Sequence, residues 1–324
     1  MNKIPELFKQ LNLGEVIQEP LRVTGGLLHH MYKVSVKDKE YAVKVLNPII
    51  MKRKPAMGHY IFSEAFARHA YKSGIKSVHA LKFNDKVVQQ CCNQHYLVFP
   101  WIEGKTLHKE HIDQSICKKI GTLLAKLHNL NFEEVNENGT SIDSIDWDQY
   151  IPLASKTIWF DEFNSSLEKI KMIEKKAINA LRNNRSNVIG HRDLDPKNIM
   201  WQGDMEPVVI DWESAGPVNA GLELLNVALD WSGGGQSKLE FQSVLQAYSE
   251  TKEIDLYEVI DVIYAINDGK LKWLDYNIKR SLGIESSNEE EQLLGTKEVI
   301  STLKDIMTYV EQIPYIEVYI EELL

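Results

Sequence analysis

Polar side chains are concentrated in residues 189–213, which read IGHRDLDPKNIMWQGDMEPVVIDWE. Two apolar runs in this stretch, NIMW and PVVID, predict the strands of one hairpin, joined by the turn QGDME. Such a hairpin can bring Asp193, Asn198 and Asp211 together around one point. Carboxylate and amide oxygens are hard ligands that suit Mg²⁺ better than a soft metal. Because Mg²⁺ with few protein ligands is usually completed by phosphate oxygens, the stretch predicts a site for Mg²⁺ and a nucleotide.

The composition is that of an ordinary soluble globular protein. The chain has 324 residues, of which 44% are hydrophobic and 26% are charged, and this length accommodates two lobes. Its formal net charge is −9, which argues against a nucleic-acid partner because phosphate binding needs clustered Lys and Arg. The acidic balance would suit a cationic small molecule, but it also keeps many cytosolic enzymes in solution.

The three cysteines predict a reducing compartment. Cys91 and Cys92 are adjacent and Cys117 stands alone, which is a poor disulfide framework and lacks the paired spacing of a zinc site. The first residues contain no apolar run of signal-peptide length, and no apolar run approaches the roughly 20 residues that a membrane helix needs. We therefore expect a cytoplasmic protein without a membrane partner.

Apolar periodicity predicts a strand-rich part followed by a longer helix-rich part. In the first part, alternation predicts strands within 21–46, and helical spacing predicts a helix over 59–72 that stops at Gly74. ALKF, KVVQQ and HYLVFPWI predict three further strands. Stripes at helical spacing predict helices around 116–130, 167–181, 254–282 and 288–312. These elements indicate an α+β protein with an N-terminal lobe, 1–102, and a C-terminal lobe, 103–324, and clefts between lobes are common ligand sites.

The pattern H-R-D-L-x-x-x-N runs from His191 to Asn198, and Asp211 follows it. This pattern is the catalytic-loop signature of the kinase fold. Over roughly residues 20–230, the chain resembles the small-molecule kinases of the aminoglycoside phosphotransferase and choline kinase family. The resemblance implies a two-lobed protein-kinase-like fold, with an antiparallel sheet and one helix in the N-terminal lobe and a mostly helical C-terminal lobe.

The resemblance also implies roles for individual side chains. Asp193 would be the catalytic base, and Asn198 and Asp211 would hold the metal ions. Lys44 in AVKV corresponds to the lysine that pairs the α- and β-phosphates, and Glu64 in FSEAF to the glutamate that orients this lysine. Taken singly, each of these residues has a structural alternative, such as a loop cap, a turn residue or a strand-edge lysine. The complete pattern favours the functional roles.

Two further segments supply candidate nucleotide contacts. Gly25 and Gly26 occupy the place of the glycine-rich loop, without its full G-x-G-x-x-G pattern. LVFPWIEG resembles the hinge between the lobes, where the Pro100 carbonyl and the Ile102 N–H are candidates to bond adenine. Proline has a carbonyl but no N–H, so only the acceptor half of this role is open to Pro100.

Departures from the kinase pattern indicate the subclass. The Lys of Ser/Thr protein kinases two residues after the catalytic Asp is Asp195 here, and Trp212-Glu213 replaces Phe-Gly. These changes, and the lack of an Ala-Pro-Glu segment, argue against a protein kinase. Aminoglycoside kinases commonly have H-G-D-L-H-P-G-N, whereas this chain has Arg192, Asp195 and Lys197. Asp195 would contact a cationic substrate or be a solvated loop carboxylate, and Arg192 would be a surface cation or a carboxylate partner.

The main hypothesis is transfer of the γ-phosphoryl group of ATP, with GTP as an alternative, to a hydroxyl group of a small molecule with the aid of Mg²⁺. The leading acceptor is an aminoglycoside-like antibiotic, which would be cationic. The alternative acceptor is a metabolite such as choline, homoserine or a sugar. A pseudokinase that only binds nucleotide is the alternative from another class. No motif specifies the acceptor or the oligomeric state.

Overall fold

The computed structural model describes residues 3–23, 28–133, 142–184, 187–203, 205–286 and 288–324. It contains two compact units. Unit 1 comprises the described residues of Met1–Leu107, Leu130–Asn138 and His191–Gly216, and unit 2 comprises those of His108–Asn129, Gly139–Gly190 and Pro217–Leu324. The H-R-D pattern therefore belongs to the same unit as the N-terminal strands.

Unit 1 is built on an antiparallel sheet in the strand order β1-β2-β3-β5-β4. The strands are β1 (Leu21–Val23), β2 (His30–Val36), β3 (Lys39–Val45), β4 (Gln89–Cys91) and β5 (Gln94–Pro100). Alternation places Val34, Val43 and Val98 on the buried face, where they pack in one apolar cluster. The predicted antiparallel sheet is confirmed. The strand predicted for ALKF is wrong, because none of its residues belongs to a strand. The Leu81 N–H donates to the Val98 carbonyl at 2.8 Å, and Phe83 makes an isolated bridge to Lys86.

Three helices complete the N-terminal part of unit 1: α1 (Ile4–Gln10), α2 (Pro48–Met51) and α3 (Ala56–Lys72). The sequence predicted α3, and Gly74 follows its end with a φ of 90°, a left-handed conformation that glycine adopts without strain. The sequence analysis missed α1. This short helix buries Ile4, Leu7 and Phe8 in the cluster that covers the sheet.

The predicted hairpin of the polar stretch is present in unit 1. Its strands are β7 (Ile199–Gln202) and β8 (Glu206–Val209), and they pair with Ile199 opposite Val209. The Val209 N–H donates to the carbonyl of Lys76, and the Val209 carbonyl accepts from the Val78 N–H, both at 2.9 Å. These bonds fix the hairpin to the segment that follows α3, and so they fix the residues on either side of the hairpin.

Unit 2 is mostly helical, as the sequence predicted. Its helices are α4 (Gln114–His128), α5 (Ile151–Ala154), α6 (Phe160–Asn183), α7 (Ala220–Trp231), α8 (Lys238–Ser249), α9 (Leu256–Asp261), α10 (Ile266–Ser281) and α11 (Glu289–Glu321). Two short strands, β6 (Val188–Gly190) and β9 (Gly216–Val218), form a two-stranded sheet. None of the described helices combines the length and the apolar character that a membrane crossing needs.

Local sequence explains where these helices begin. Asp113, Asn219 and Asn288 cap α4, α7 and α11 by accepting a backbone N–H of the first turn, each at 2.9 Å. The predicted end of the last helix near 312 is wrong, because α11 continues through Pro314. Its apolar stripe, which includes the buried Ile313, Ile316 and Ile320, extends beyond the proline, and burial of that stripe outweighs the loss of one backbone hydrogen bond.

Close packing of α4 against α8 gives a direct test of unit 2. A Cβ added at Gly121 in α4 would stand 2.3 Å from the carbonyl oxygen of Val244. Gly121→Ala should therefore force the helices apart and lower the free energy of unfolding by about 1–3 kcal/mol. The control is Gly269→Ala in α10, which meets no atom within 4 Å and should raise that free energy by about 0.5–1 kcal/mol. Urea unfolding followed by tryptophan fluorescence measures both, and equal effects would contradict this packing.

Candidate active site

The catalytic-loop pattern is tied to the segment that follows β8. The His191 Nε2–H donates to the carbonyl of Ile210 at 3.0 Å, and the His191 ring lies 4.8 Å from the ring of Trp212. The Ile210 N–H donates to the carbonyl of Asn198, also at 3.0 Å. The structure thus gives His191 the backbone bond that a structural role requires. These contacts bring the loop that carries Asp193 next to the residues around Asp211.

Asn198 orients the carboxylate of Asp193. Its Nδ2 donates to Asp193 Oδ2 at 2.9 Å and to the Asp193 carbonyl at 2.8 Å. The side chain of Asn198 is almost completely buried, so this arrangement is well fixed. Nδ2 makes both hydrogen bonds to Asp193, and the Asn198 Oδ1 is the acceptor atom of this amide.

Burial controls the basicity of Asp193. Burial, together with the charges of Asp195 and Asp211, raises the pKa of Asp193 to about 6, against the opposing charge of Lys197 and the hydrogen bond from Asn198. A carboxylate with this pKa is ionised at neutral pH and is a stronger base than an ordinary aspartate. It is therefore suited to accept a proton during a reaction.

Lys44 is the buried cation of the site. Its ammonium group lies 2.6 Å from Asp211 Oδ1 and 2.7 Å from Glu213 Oε2. Burial alone would lower the pKa of Lys44, but the two carboxylates outweigh it and raise this pKa above its ordinary value. Burial would likewise raise the pKa of Asp211, and the Lys44 charge holds it below its usual range. For Glu213, burial outweighs the lysine contact and raises the pKa.

Glu64 does not pair with Lys44, which corrects the pairing that the sequence predicted. Both residues are described, and the ion-pair partners of Lys44 are Asp211 and Glu213. Glu64 instead accepts the N–H of Ala80 at 2.5 Å. Burial raises the pKa of Glu64 to about 7, because the hydrogen bond from Ala80 and the nearby charge of Lys44 only partly compensate for it. The physical reason for the difference is that the carboxylates after β8 lie closer to the ammonium group.

Glu213 is the site residue that the sequence analysis missed. Glu213 was considered only as a departure from the Phe-Gly of protein kinases, although a carboxylate two residues after the predicted metal ligand Asp211 was a usable signal. The His59 Nε2–H donates to the Glu213 carbonyl at 2.5 Å. The His29 Nδ1 accepts the Asn47 N–H, and the His29 Nε2 lies 3.6 Å from Glu213 Oε2. Burial lowers the pKa of His29 to about 3, so this ring is neutral and its Nε2 carries the hydrogen.

Two residues of the site have left-handed backbone conformations. Asp211 has φ 59° and Arg192 has φ 65°. Aspartate tolerates this region better than most residues, whereas an arginine there is strained by roughly 1–2 kcal/mol. Glycine, which aminoglycoside kinases commonly have at the position of Arg192, adopts this conformation without strain. Arg192 itself is exposed.

The other predicted nucleotide contacts lie in the glycine segment and after β5. Gly25 and Gly26 lie outside the described residues. Pro100 ends β5 opposite Tyr41. Ile102 follows the sheet, and within the described chain its N–H has no hydrogen-bond partner, so this group is open to a ligand. The structure thus bonds Lys44 to Asp211 and Asn198 to Asp193. The Ile210 N–H, which donates to the Asn198 carbonyl, connects the two pairs, and Glu64 lies near Lys44 without a bond to it.

The oxygen atoms of the site fit Mg²⁺ that is shared with a phosphate ligand. Asn198 and Asp211 offer an amide and a carboxylate oxygen, and Glu213 adds a second carboxylate beside Asp211. Among the described residues there is no group of three or more His, Cys, Asp or Glu side chains that could hold a metal ion by themselves. Such a small set suits Mg²⁺, which keeps waters and takes further oxygens from the phosphates of its substrate.

Comparison with known proteins gives a family and a fold. The model of the phosphotransferase enzyme family matches residues 20–259, whereas no curated protein matches the chain. Spectinomycin phosphotransferase APH(9)-Ia, in complex with ADP and spectinomycin, is similar in structure with a TM-score of 0.69 and 14% identity, over 95% of this chain and 97% of that one. The amicoumacin kinase hAmiN, in complex with AMP-PNP, Ca²⁺ and Ami, gives 0.64 and 11%, over 92% of each chain.

A third similar structure is named for amino alcohols and not for an antibiotic. A choline/ethanolamine kinase family protein from Mesorhizobium loti gives a TM-score of 0.62 and 15% identity, over 94% of this chain and 95% of that one. At these identities the likeness shows the fold alone. The predicted protein-kinase-like fold is confirmed.

The raised pKa of Glu64 predicts a pH dependence of stability. Because the folded chain binds this proton more tightly than the unfolded chain, the contribution of Glu64 is fully present below the ordinary pKa of 4.5 and is lost as pH rises through about 7. Glu64→Gln cannot titrate, so its free energy of unfolding should fall less than that of the wild type between pH 5 and pH 7.5. We expect the free energy of unfolding of the wild type to decrease by about 2–3 kcal/mol more than that of Glu64→Gln over this pH range. Urea unfolding at the two pH values measures it, and parallel falls would contradict the assignment.

Proposed function

The chain belongs to the phosphotransferase enzyme family, and from this membership we propose that it transfers the γ-phosphoryl group of ATP to a hydroxyl group of an aminoglycoside-like antibiotic. That it is a small-molecule kinase follows from the family and from the kinase fold. The observation that supports the proposed chemistry most directly is that the pairs Lys44–Asp211 and Asn198–Asp193 lie next to each other in unit 1, connected by the backbone bond from Ile210 to Asn198.

The phosphates of the nucleotide would bind near Lys44. The ammonium group is already held between Asp211 and Glu213, so it can bond a phosphate oxygen without leaving a buried charge unpaired. Asn198 and Asp211, assisted by Glu213, would hold Mg²⁺, which neutralises charge on the β- and γ-phosphates when it is bound.

Contacts to the adenine ring and further contacts to the phosphates would come from other parts of unit 1. The open N–H of Ile102 and the carbonyl of Pro100 are the candidates to bond adenine, and Gly25 and Gly26 stay candidates for a phosphate loop. Guanine presents different hydrogen-bonding groups at this edge, and GTP is the alternative donor. Glu64 would act through its charge on Lys44 and not through a direct bond.

Asp193 would accept the proton of the acceptor hydroxyl. The acceptor oxygen forms a bond to the γ-phosphorus, the bond from that phosphorus to the β–γ bridging oxygen breaks, and its electron pair leaves with ADP. The hydroxyl proton passes to the Asp193 carboxylate and then to solvent, so the products are a phosphate ester, ADP and a proton. The transition state is loose, and the main work of these side chains is to position the acceptor and to stabilise charge.

The charge of the whole chain supports a cationic acceptor. Its formal net charge is −9, which attracts ammonium groups. Two of the similar structures carry antibiotic names, spectinomycin and amicoumacin. The choline/ethanolamine kinase family protein supports an amino alcohol as the second candidate. The helices within 254–312 stay candidates for acceptor recognition.

A panel of acceptors tests the reaction and the base together. With Mg·ATP, the wild-type chain should release ADP when aminoglycosides are added, and the comparison acceptors are macrolides, choline, ethanolamine and homoserine. Asp193→Asn should lower kcat by about 10²–10⁴-fold, because the general base is lost, whereas the KM for ATP should change little. The control is Asp38→Asn in the exposed turn between β2 and β3, which should keep the wild-type rate.

Three results of this panel would count against the proposal. ADP release with choline or ethanolamine only would make an amino alcohol the acceptor. Near-normal kcat in Asp193→Asn would remove the base from the mechanism. ADP release with none of the acceptors, in a chain that binds ATP, would favour a nucleotide-binding protein without transferase activity.

A further inference from the structure

A second lysine stands beside the proposed base. The ammonium group of Lys197 lies 2.5 Å from Asp195 Oδ2 and 3.5 Å from Asp193 Oδ1. It also interacts electrostatically with Glu213. The site therefore has a buried lysine on β3 and a second lysine in the catalytic loop.

Asp195 fixes the direction of the Lys197 side chain. Its Oδ1 accepts the backbone N–H groups of Lys197 and Asn198 at 3.0 and 3.3 Å, which caps the short 3₁₀ turn Pro196–Asn198. The other carboxylate oxygen bonds the Lys197 ammonium. One side chain thus shapes the turn with one oxygen and turns the cation toward Asp193 with the other.

The ion pair of Lys197 does little for folding. The side chain of Lys197 is 60% exposed, and exposed ion pairs contribute only about 0–1 kcal/mol. Because these ion pairs are exposed and weak, the ammonium group can exchange one anion for another at a small cost. A cation that stays on Asp193 would weaken that carboxylate as a base, so the arrangement is useful only if the ammonium can move to another anion when the reactants bind.

We propose that Lys197 is a catalytic residue whose ammonium group binds the γ-phosphoryl oxygens while that group is transferred. This inference rests on the proposed function. With the acceptor hydroxyl bonded to Asp193, the γ-phosphorus lies about 3–3.5 Å from the attacking oxygen. The Lys197 ammonium lies 3.5 Å from Asp193 Oδ1, so it stands next to the carboxylate at which the acceptor hydroxyl would bind. Lys197 forms no covalent bond in the step and supplies only positive charge, as a point-charge phosphate ligand.

Lys44 and Lys197 would bind different phosphate groups of the nucleotide. Lys44 would serve phosphates that ATP and ADP share, whereas Lys197 would serve only the phosphoryl group that ADP lacks. A loss of the Lys197 charge should therefore affect ligands that carry a γ-phosphate and spare ADP. A structural role in the loop would affect both nucleotides alike.

Nucleotide binding with Mg²⁺ present tests this expectation by calorimetric titration of AMP-PNP and of ADP. Lys197→Met keeps the length of the side chain and removes its charge. It should lower the affinity for AMP-PNP about tenfold, as expected for the loss of a charged hydrogen bond, and leave the affinity for ADP unchanged. Its kcat should fall about 10²–10³-fold, because transition-state charge is no longer stabilised. Lys197→Arg keeps the charge and should recover most of the AMP-PNP affinity.

Lys171→Met is the matched control. Lys171 also bonds two carboxylates, those of Asp148 and Glu168 at 2.9 and 3.1 Å, but it lies in α6 of unit 2. Its substitution should leave both affinities and kcat unchanged.

The outcomes separate this inference from the function on which it rests. Equal loss of AMP-PNP and ADP affinity in Lys197→Met, or no recovery in Lys197→Arg, would overturn the role of Lys197 while a wild-type chain that binds and uses ATP keeps the proposed function. A wild-type chain that binds neither nucleotide would overturn both.

Discussion

Lys44 carries a charge in a position that is almost completely buried, and the arrangement of unit 1 depends on how that charge is neutralised. An unpaired ammonium group would be costly there. Asp211 and Glu213 lie 2.6 and 2.7 Å from it, so β3 of the sheet is connected to the segment after the β7–β8 hairpin. The H-R-D loop is bonded to the same segment through His191. The two ion pairs of Lys44 and the hydrogen bond of His191 thus connect the sheet, the hairpin and the loop.

The pairing of Lys44 with Asp211 and Glu213 also affects the protonation and the contacts of the groups around it. Glu64 is left without the lysine, and burial raises its pKa to about 7, so at neutral pH it is partly protonated. Glu213 is held by His59 at its backbone and lies beside the neutral ring of His29. Polar groups that are fixed before a ligand binds need little reorganisation during a reaction, which is the source of most electrostatic stabilisation in enzymes. The site has this property in Asp193 and Asn198 as well.

The sequence was a good guide to the site wherever spacing alone determines position. The H-R-D-L-x-x-x-N pattern and the hairpin predicted the grouping of Asp193, Asn198 and Asp211, because a tight loop and a short hairpin leave few other placements. The partner of Lys44 depends on the distance of α3 from β3, which no local pattern encodes, and so the pairing with Glu64 was wrong. The strand at ALKF was wrong for a similar reason, since a run of four residues does not distinguish a strand from an extended loop.

The measurement that most directly tests the central claim, a Mg·ATP site around Lys44 and Asp211, is the titration of ATP into the chain with and without Mg²⁺. Asp211→Asn is the variant to compare, because it leaves Glu213 to pair with Lys44. The account predicts that Mg²⁺ tightens ATP binding by the wild-type chain and that Asp211→Asn loses this tightening. Wild-type binding of ATP that is the same with and without Mg²⁺, or full tightening in Asp211→Asn, would contradict it.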